Sequence, residues 1–189
     1  MEILLAVLIP VLIIFGIPLL WFFGTYNRMV SLRNSIAESW RNIDTELQRR
    51  YDLIPNLVET VKGYAAHEKQ VFEEVTKARA KAVDSHGSPN EQAADEKTLV
   101  RALGGLFAVA EAYPELKASQ NFLKLQNELI NTEDRIQAAR RFYNANVRAL
   151  NNKVEMFPSS IVASMMGFKQ AEYFEVESVS VRAHPGVNL

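Results

Sequence analysis

The three histidines, His67, His86 and His184, are the first residues in this chain that could do chemistry. A zinc-protease helix needs two histidines four residues apart, with a glutamate beside them as base. His67 is followed by Glu68 and Lys69 and has no histidine partner at that spacing. His86 falls in a loop and His184 in the tail, so all three read as solvated imidazoles. Paired carboxylates occur at Glu73-Glu74 and Glu133-Asp134. Adjacent positions on a helix point apart, and these carboxylates are expected to face water. A di-iron bundle requires Glu-x-x-His on facing helices, and the chain contains no such pair. Gly104-Gly105 lacks the Gly-Lys of a phosphate loop, and Ser159-Ser160 reads as a helix N-cap after Pro158. No cysteine is present, which excludes thiol nucleophiles, disulfides and thiolate metal sites. The expectation is a non-enzymatic protein with no cofactor and no metal.

Residues that could recognise a partner are easier to name. Arg49, Arg50 and Asp52 concentrate charge just ahead of Pro55, and Glu111 and Tyr113 do the same ahead of Pro114. Met165, Met166 and Phe168 add a soft apolar surface near the C-terminus. The plain reading of these positions is capping and ion pairing at bundle corners, where helix ends leave unpaired backbone groups. The functional reading is a partner-docking surface.

The elements that would carry these residues begin with an anchor. Ile3–Phe23 contains no charged or polar side chain. About 20 apolar residues at 1.5 Å each span the hydrocarbon core of a bilayer. Trp21 and Tyr26 stand at its C-terminal end, where amphipathic aromatics favour the interface. A cleaved signal peptide would need a basic n-region and a small-residue cleavage site. Neither is present, since Glu2 precedes the run and Trp21-Phe22-Phe23-Gly24-Thr25-Tyr26 ends it. Arg28, Arg33 and Arg41 follow the span and no basic residue precedes it. The positive-inside rule then places the domain in the cytosol. Residues 1–25 are therefore expected to be a transmembrane anchor, 26–170 a helical-bundle domain and 171–189 an extended tail.

The domain reads as helices. Met29, Arg33, Ile36, Trp40, Ile43, Leu47, Arg50 and Ile54 alternate in steps of four and three, the 3.5-residue period of a coiled-coil-like seam. Leu57, Val61, Tyr64, Glu68, Val71, Val75, Ala78 and Ala82 continue it. Asp52 could cap a new helix with Pro55 in its first turn, which gives a hairpin and an all-α, antiparallel four-helix bundle. The unbroken seam leaves one kinked helix over 26–83 as the alternative. Residues 84–90 form the clearest loop. A third helix is expected over about 92–113, a fourth over 119–157 and a short one over 159–168. Phe174–Val181 alternates weakly like a strand, but one such segment makes no sheet. The chain has 21 basic and 22 acidic residues, and Glu2 lies ahead of the span, so the domain is neutral. That balance argues against nucleic acid and against an anionic-lipid surface as partners.

Several stretches together resemble the LemA family of bacterial membrane proteins. They are Tyr26-Asn27-Arg28-Met29-Val30, then 49–64 with His67-Glu68, Glu111-Ala112-Tyr113-Pro114-Glu115-Leu116-Lys117, Asn121-Phe122 and 139–144. Phe157-Pro158-Ser159, Gly167-Phe168-Lys169 and Glu172-Tyr173-Phe174 complete the pattern. The commonest family pattern has Ala where this chain has Tyr51, a change that is conservative for a helix. The resemblance implies an N-terminal anchor in the bacterial inner membrane, a helical bundle and no recognised catalytic residues. It also implies protein partners, a membrane protease or a second copy of the chain, because family genes often neighbour a membrane metalloprotease. The leading functional expectation is a membrane-tethered interaction or scaffold module. The rivals are a self-assembling, membrane-shaping protein and a sensor with a small ligand between its helices.

Overall fold

The computed structural model describes residues 1–175, except for the side chains of residues 2–9 and 11. His184 and most of the strand-like alternation fall outside the described residues. Six helices follow one another: α1 Glu2–Lys62, α2 Lys69–Val83, α3 Pro89–Glu111, α4 Pro114–Lys117, α5 Gln120–Glu155 and α6 Ser159–Met166. No strand occurs among the described residues. The fold class is therefore all-α, and α1 is the described helix long and apolar enough to cross a membrane.

The main correction concerns Pro55. No hairpin forms at 51–55, and Asp52 caps nothing. The helix runs through Pro55 to Lys62, and the turn comes at 63–68. Asp52 sits in mid-helix, accepting from Gln48 Nε2 at 2.9 Å. Proline removes one backbone N–H and so frees the carbonyl four residues earlier, which ordinarily breaks a helix. Here that carbonyl belongs to Tyr51, and Arg79 Nε of α2 donates to it at 2.7 Å. A neighbouring helix therefore supplies the missing donor.

The chain divides into two compact units, and each takes a segment of α1 and a segment of α5. The first comprises Met1–Arg41 and Arg141–Ala171. Its core is Met29, Leu32, Leu150 and Ala163, with Ile36, Ala149, Val154, Phe168 and Ala171 packed against it. The seam here uses Leu32 where the alternation suggested Arg33, which is exposed with its guanidinium 5.6 Å above the Phe168 ring. Trp40 is half-buried against Tyr143 at 5.4 Å. Ser159 does not cap α6. Pro158 holds that position, and Ser159 Oγ donates instead to the Met156 carbonyl at 2.9 Å. Gly167 closes α6 at φ 71°, a left-handed conformation that glycine adopts without strain. The chain is then pinned to α5, because Asn151 donates to the Ala171 carbonyl at 3.0 Å and accepts from the Ala171 N–H at 2.8 Å.

The second unit comprises Asn42–Arg140 and the chain from Glu172 onward. α1 contributes Ile43, Leu47, Ile54, Leu57 and Val61 to its core. Phe72, Val75, Ala78 and Ala82 come from α2, where Phe72 is buried and Val71 half-buried. α3 starts earlier than the seam suggested. Ser88 Oγ accepts from the Glu91 N–H, and Glu91 Oε2 accepts from the Ser88 N–H, with Pro89 in the first turn. That capping box fixes the end of the loop 84–88. Along α3 the buried positions Gln92, Glu96, Leu99, Leu103, Leu106 and Ala110 again alternate in steps of four and three. Residues 172–175 carry no regular secondary structure, and Phe174 among them is fully buried.

Candidate functional site

The densest polar chemistry lies inside the second unit, around Arg50. Arg50 and Glu96 occupy seam positions on α1 and α3, where the period of each helix turns them inward. They are 4% and 1% exposed. Arg50 Nη2 pairs with Glu96 Oε2, and Arg50 Nη1 donates to Glu133 Oε2 of α5 at 2.9 Å. Glu133, expected to face water, is half-buried and turned toward this cation. The Tyr51 hydroxyl donates to Glu96 Oε1 and lies 3.4 Å from the Ala82 carbonyl of α2. Gln92 Nε2 reaches Tyr51 Oη, the Ala82 carbonyl and Glu96 Oε1 at 3.2 to 3.3 Å.

The environment moves the titrations in predictable directions. Burial pushes the Arg50 guanidinium below its ordinary value, against the opposing charge of Glu133. Burial pushes the Tyr51 hydroxyl up to about 12, against the pull of the Arg50 cation. With Arg50 and Glu96 closed to solvent, this cluster locks α1, α2, α3 and α5 to one another. Removing one partner of such a buried pair leaves an uncompensated charge, which makes the cluster a device for register.

Of the residues expected to form a docking surface, Arg50 is buried and engaged by Glu96 and Glu133. Its neighbours remain on the surface. Arg49 is exposed with its guanidinium 3.8 Å from Glu46, and Asp52 is exposed beside Gln48. Glu111 is exposed at the end of α3, and Tyr113 is the half-buried N-cap of α4, its carbonyl accepting from Leu116 and Lys117. Leu116 is fully buried, which ties this corner to the core. Met165 and Met166 are 67% and 45% exposed, whereas Phe168 packs against Tyr26 at 6.0 Å. Tyr51, read as a conservative replacement, bridges α1 to α2 and α3. The signal that could have revealed the Arg50 cluster was a charged or polar residue on an otherwise apolar seam.

Two open grooves lie on the second unit. One, of about 600 Å³, is lined by Lys62, Lys69, Phe72, Glu73 and Lys77, with Lys77 3.8 Å from Glu73. The other, of about 470 Å³, is bordered by Asn56, Thr60, Asn121 and Glu128. Among the described residues no group of His, Cys, Asp and Glu could hold a metal ion.

Two magnetosome proteins of Paramagnetospirillum magneticum, MamQ 1 and MamQ 2, are each 29% identical to the chain over 175 residues. Each alignment covers 79% of the chain and 64% of the relative, so the chain spans under two thirds of those proteins. Protein LemA of Metamycoplasma hominis is 27% identical, with 88% of the chain and 77% of the relative covered. The LemA family model matches residues 39–189, from Ser39 on the α1 seam through the Arg50 cluster to the C-terminus, and the chain belongs to the LemA family.

Proposed function

We propose that this protein is a membrane-anchored helical interaction module without catalytic activity. α1 crosses the bacterial inner membrane near residues 3–23, and the helices beyond it form an antiparallel bundle in the cytosol. One observation carries the reading. Leu12, Phe15 and Leu20 are 66%, 70% and 75% exposed, yet they belong to the same continuous helix that enters the packed core at Met29. A water-facing apolar stripe of that length costs about 25 cal/mol per Å² until something covers it. A bilayer is the solvent that suits it.

Support for a binding role comes from the exposed Arg49, Asp52 and Glu111. The test has two parts. After alkaline extraction the full chain should stay with membranes, and protease added outside intact cells should spare the domain while cutting it in opened ones. Cross-linkers placed at Arg49→Cys and Asp52→Cys should then trap one discrete partner in those membranes. Release by alkali would overturn the anchor, and recovery of monomer alone would overturn the binding role.

A self-assembling, membrane-organising protein is the second reading. It predicts cross-links between differently tagged copies and ordered arrays in electron micrographs of membranes enriched in the protein. A sensor holding a small ligand between its helices is the third reading, which a thermal-shift panel of small molecules would test.

A further inference from the structure

We infer that α6 and the residues leading into it form a second membrane contact, lying on the bilayer surface beside the point where α1 leaves it. This rests on the anchored reading of α1. Three observations within the first unit carry it.

The first is composition. From Met156 to Phe168 the chain has no charged residue, while Glu155 and Lys169 flank the stretch. A surface segment of a water-soluble domain rarely lacks charge over that length, and a contiguous exposed apolar patch marks a site that something covers.

The second is exposure. Phe157, Ile161 and Met165 follow one another at four-residue spacing and are 80%, 51% and 67% exposed. Met156 and Met166 are also exposed. The opposite face, Ser159, Val162 and Ala163, is buried. The helix thus leaves large apolar side chains, with Ser164 among them, on the face that is not used for packing. Beyond the span, the other exposed large apolar side chains among the described residues are Tyr64, Leu123, Ile130 and Phe142, and none of these follows another within four residues along the chain.

The third is position, which selects the occupant. Ala163 packs in the cluster with Met29, and Phe168 stacks edge-on against Tyr26. Tyr26 and Met29 follow Phe23, the last apolar residue of the span, by about 5 and 9 Å along the helix axis at 1.5 Å per residue. The headgroup layer extends about 5–8 Å beyond the hydrocarbon on each side. An interfacial helix buries its apolar face about 5–10 Å into that boundary. Tyr26 falls within the headgroup layer and Met29 at its outer edge, so the Phe168 end of the α6 segment stands at headgroup depth. Arg33, whose guanidinium lies over the Phe168 ring, and Lys169 supply cations beside that end of the segment.

The experiment uses the full chain in vesicles of phosphatidylcholine and phosphatidylglycerol. Because the chain has no cysteine, single nitroxide labels can be placed at Ile161→Cys, Met165→Cys, Leu20→Cys and Glu115→Cys. Collision with oxygen, which favours lipid, is compared with collision with a polar nickel chelate. The expected result is oxygen-dominated relaxation at 161 and 165, still stronger at 20, and nickel-dominated relaxation at 115. If 20 reads as lipid while 161 and 165 match 115, the α6 contact is wrong and the anchor stands. If 20 itself reads as water, the anchored reading fails and takes the inference with it. Exclusion of both reagents at 161 and 165, with spin–spin broadening, would make the occupant a second copy and overturn the lipid assignment.

Discussion

Arg50 without its carboxylates would be a cation sealed in an apolar core, and this sets the cost of every change in its cluster. Arg50→Met should destabilise the protein by about 3–5 kcal/mol, because Glu96 is left buried and unpaired. The double change Arg50→Met, Glu96→Met should recover most of that loss, since well-packed apolar replacements of buried ion pairs are often neutral. Urea unfolding of the three variants checks this, and a double variant as weak as the single one would contradict it. Tyr51→Phe should cost about 1–3 kcal/mol, the usual penalty for leaving buried polar partners such as Glu96 and Gln92 unsatisfied. Its titration gives a second test. The hydroxyl is raised to about 12 in the folded protein, against about 10 in an unfolded chain. Above pH 10 the unfolded state loses this proton while the folded state keeps it. Stability from this group is therefore complete below pH 10 and falls as pH rises toward 12, by up to about 1.4 kcal/mol per unit. Ultraviolet titration of the tyrosines should show one late phase that Tyr51→Phe removes.

At the scale of elements, Pro55 and Arg79 make one device. If the Tyr51 carbonyl depends on Arg79 because Pro55 has no N–H to offer, their effects must be coupled. Arg79→Met should cost about 1–3 kcal/mol in the natural sequence. It should cost clearly less beside Pro55→Ala, where residue 55 supplies the donor itself. A double-mutant cycle measures that coupling, and additive costs would show that Arg79 acts elsewhere. The same device explains what the sequence concealed. The period through Leu47, Arg50, Ile54, Leu57 and Val61 was legible and is the buried face of α1. Proline at 55 argued for a break, and only a donor from α2, 28 residues along the chain from Tyr51, lets the helix continue. The α3 start was legible in Ser88-Pro89-Asn90-Glu91, a capping signature that the apolar pattern alone placed a few residues late. The Arg50 cluster was half-legible. Arg50 sat on the seam, but an inward charge cannot be told from a surface one until the facing helix supplies Glu96. Pro114 marked the end of α3, but the short α4 that it opens and the anchoring of α4 through Leu116 were not legible.

For the whole molecule, the question is what the apolar stretch ahead of the domain contributes besides attachment. Leu12, Ile14, Phe15 and Leu20 are exposed, so they bury nothing against the rest of the chain and contribute no packing energy to it. The core of the first unit begins at Met29, beyond that stretch. A chain lacking residues 1–24 should therefore keep its urea midpoint within about 0.5 kcal/mol of the full chain in detergent, the range expected when nothing buried is touched. The same deletion should release the protein from alkali-washed membranes. Charge offers no substitute, because 21 basic residues stand against 22 acidic ones and the domain is neutral. Attachment of the full chain should accordingly persist when salt is raised until the screening length is only about 3 Å. A deletion that lowers the midpoint by several kcal/mol would mean that the stretch packs on the domain. Loss of the full chain at high salt would mean that electrostatics holds it to the membrane. Either result would remove the physical basis for treating the exposed face of α1 as the part of the protein built for lipid.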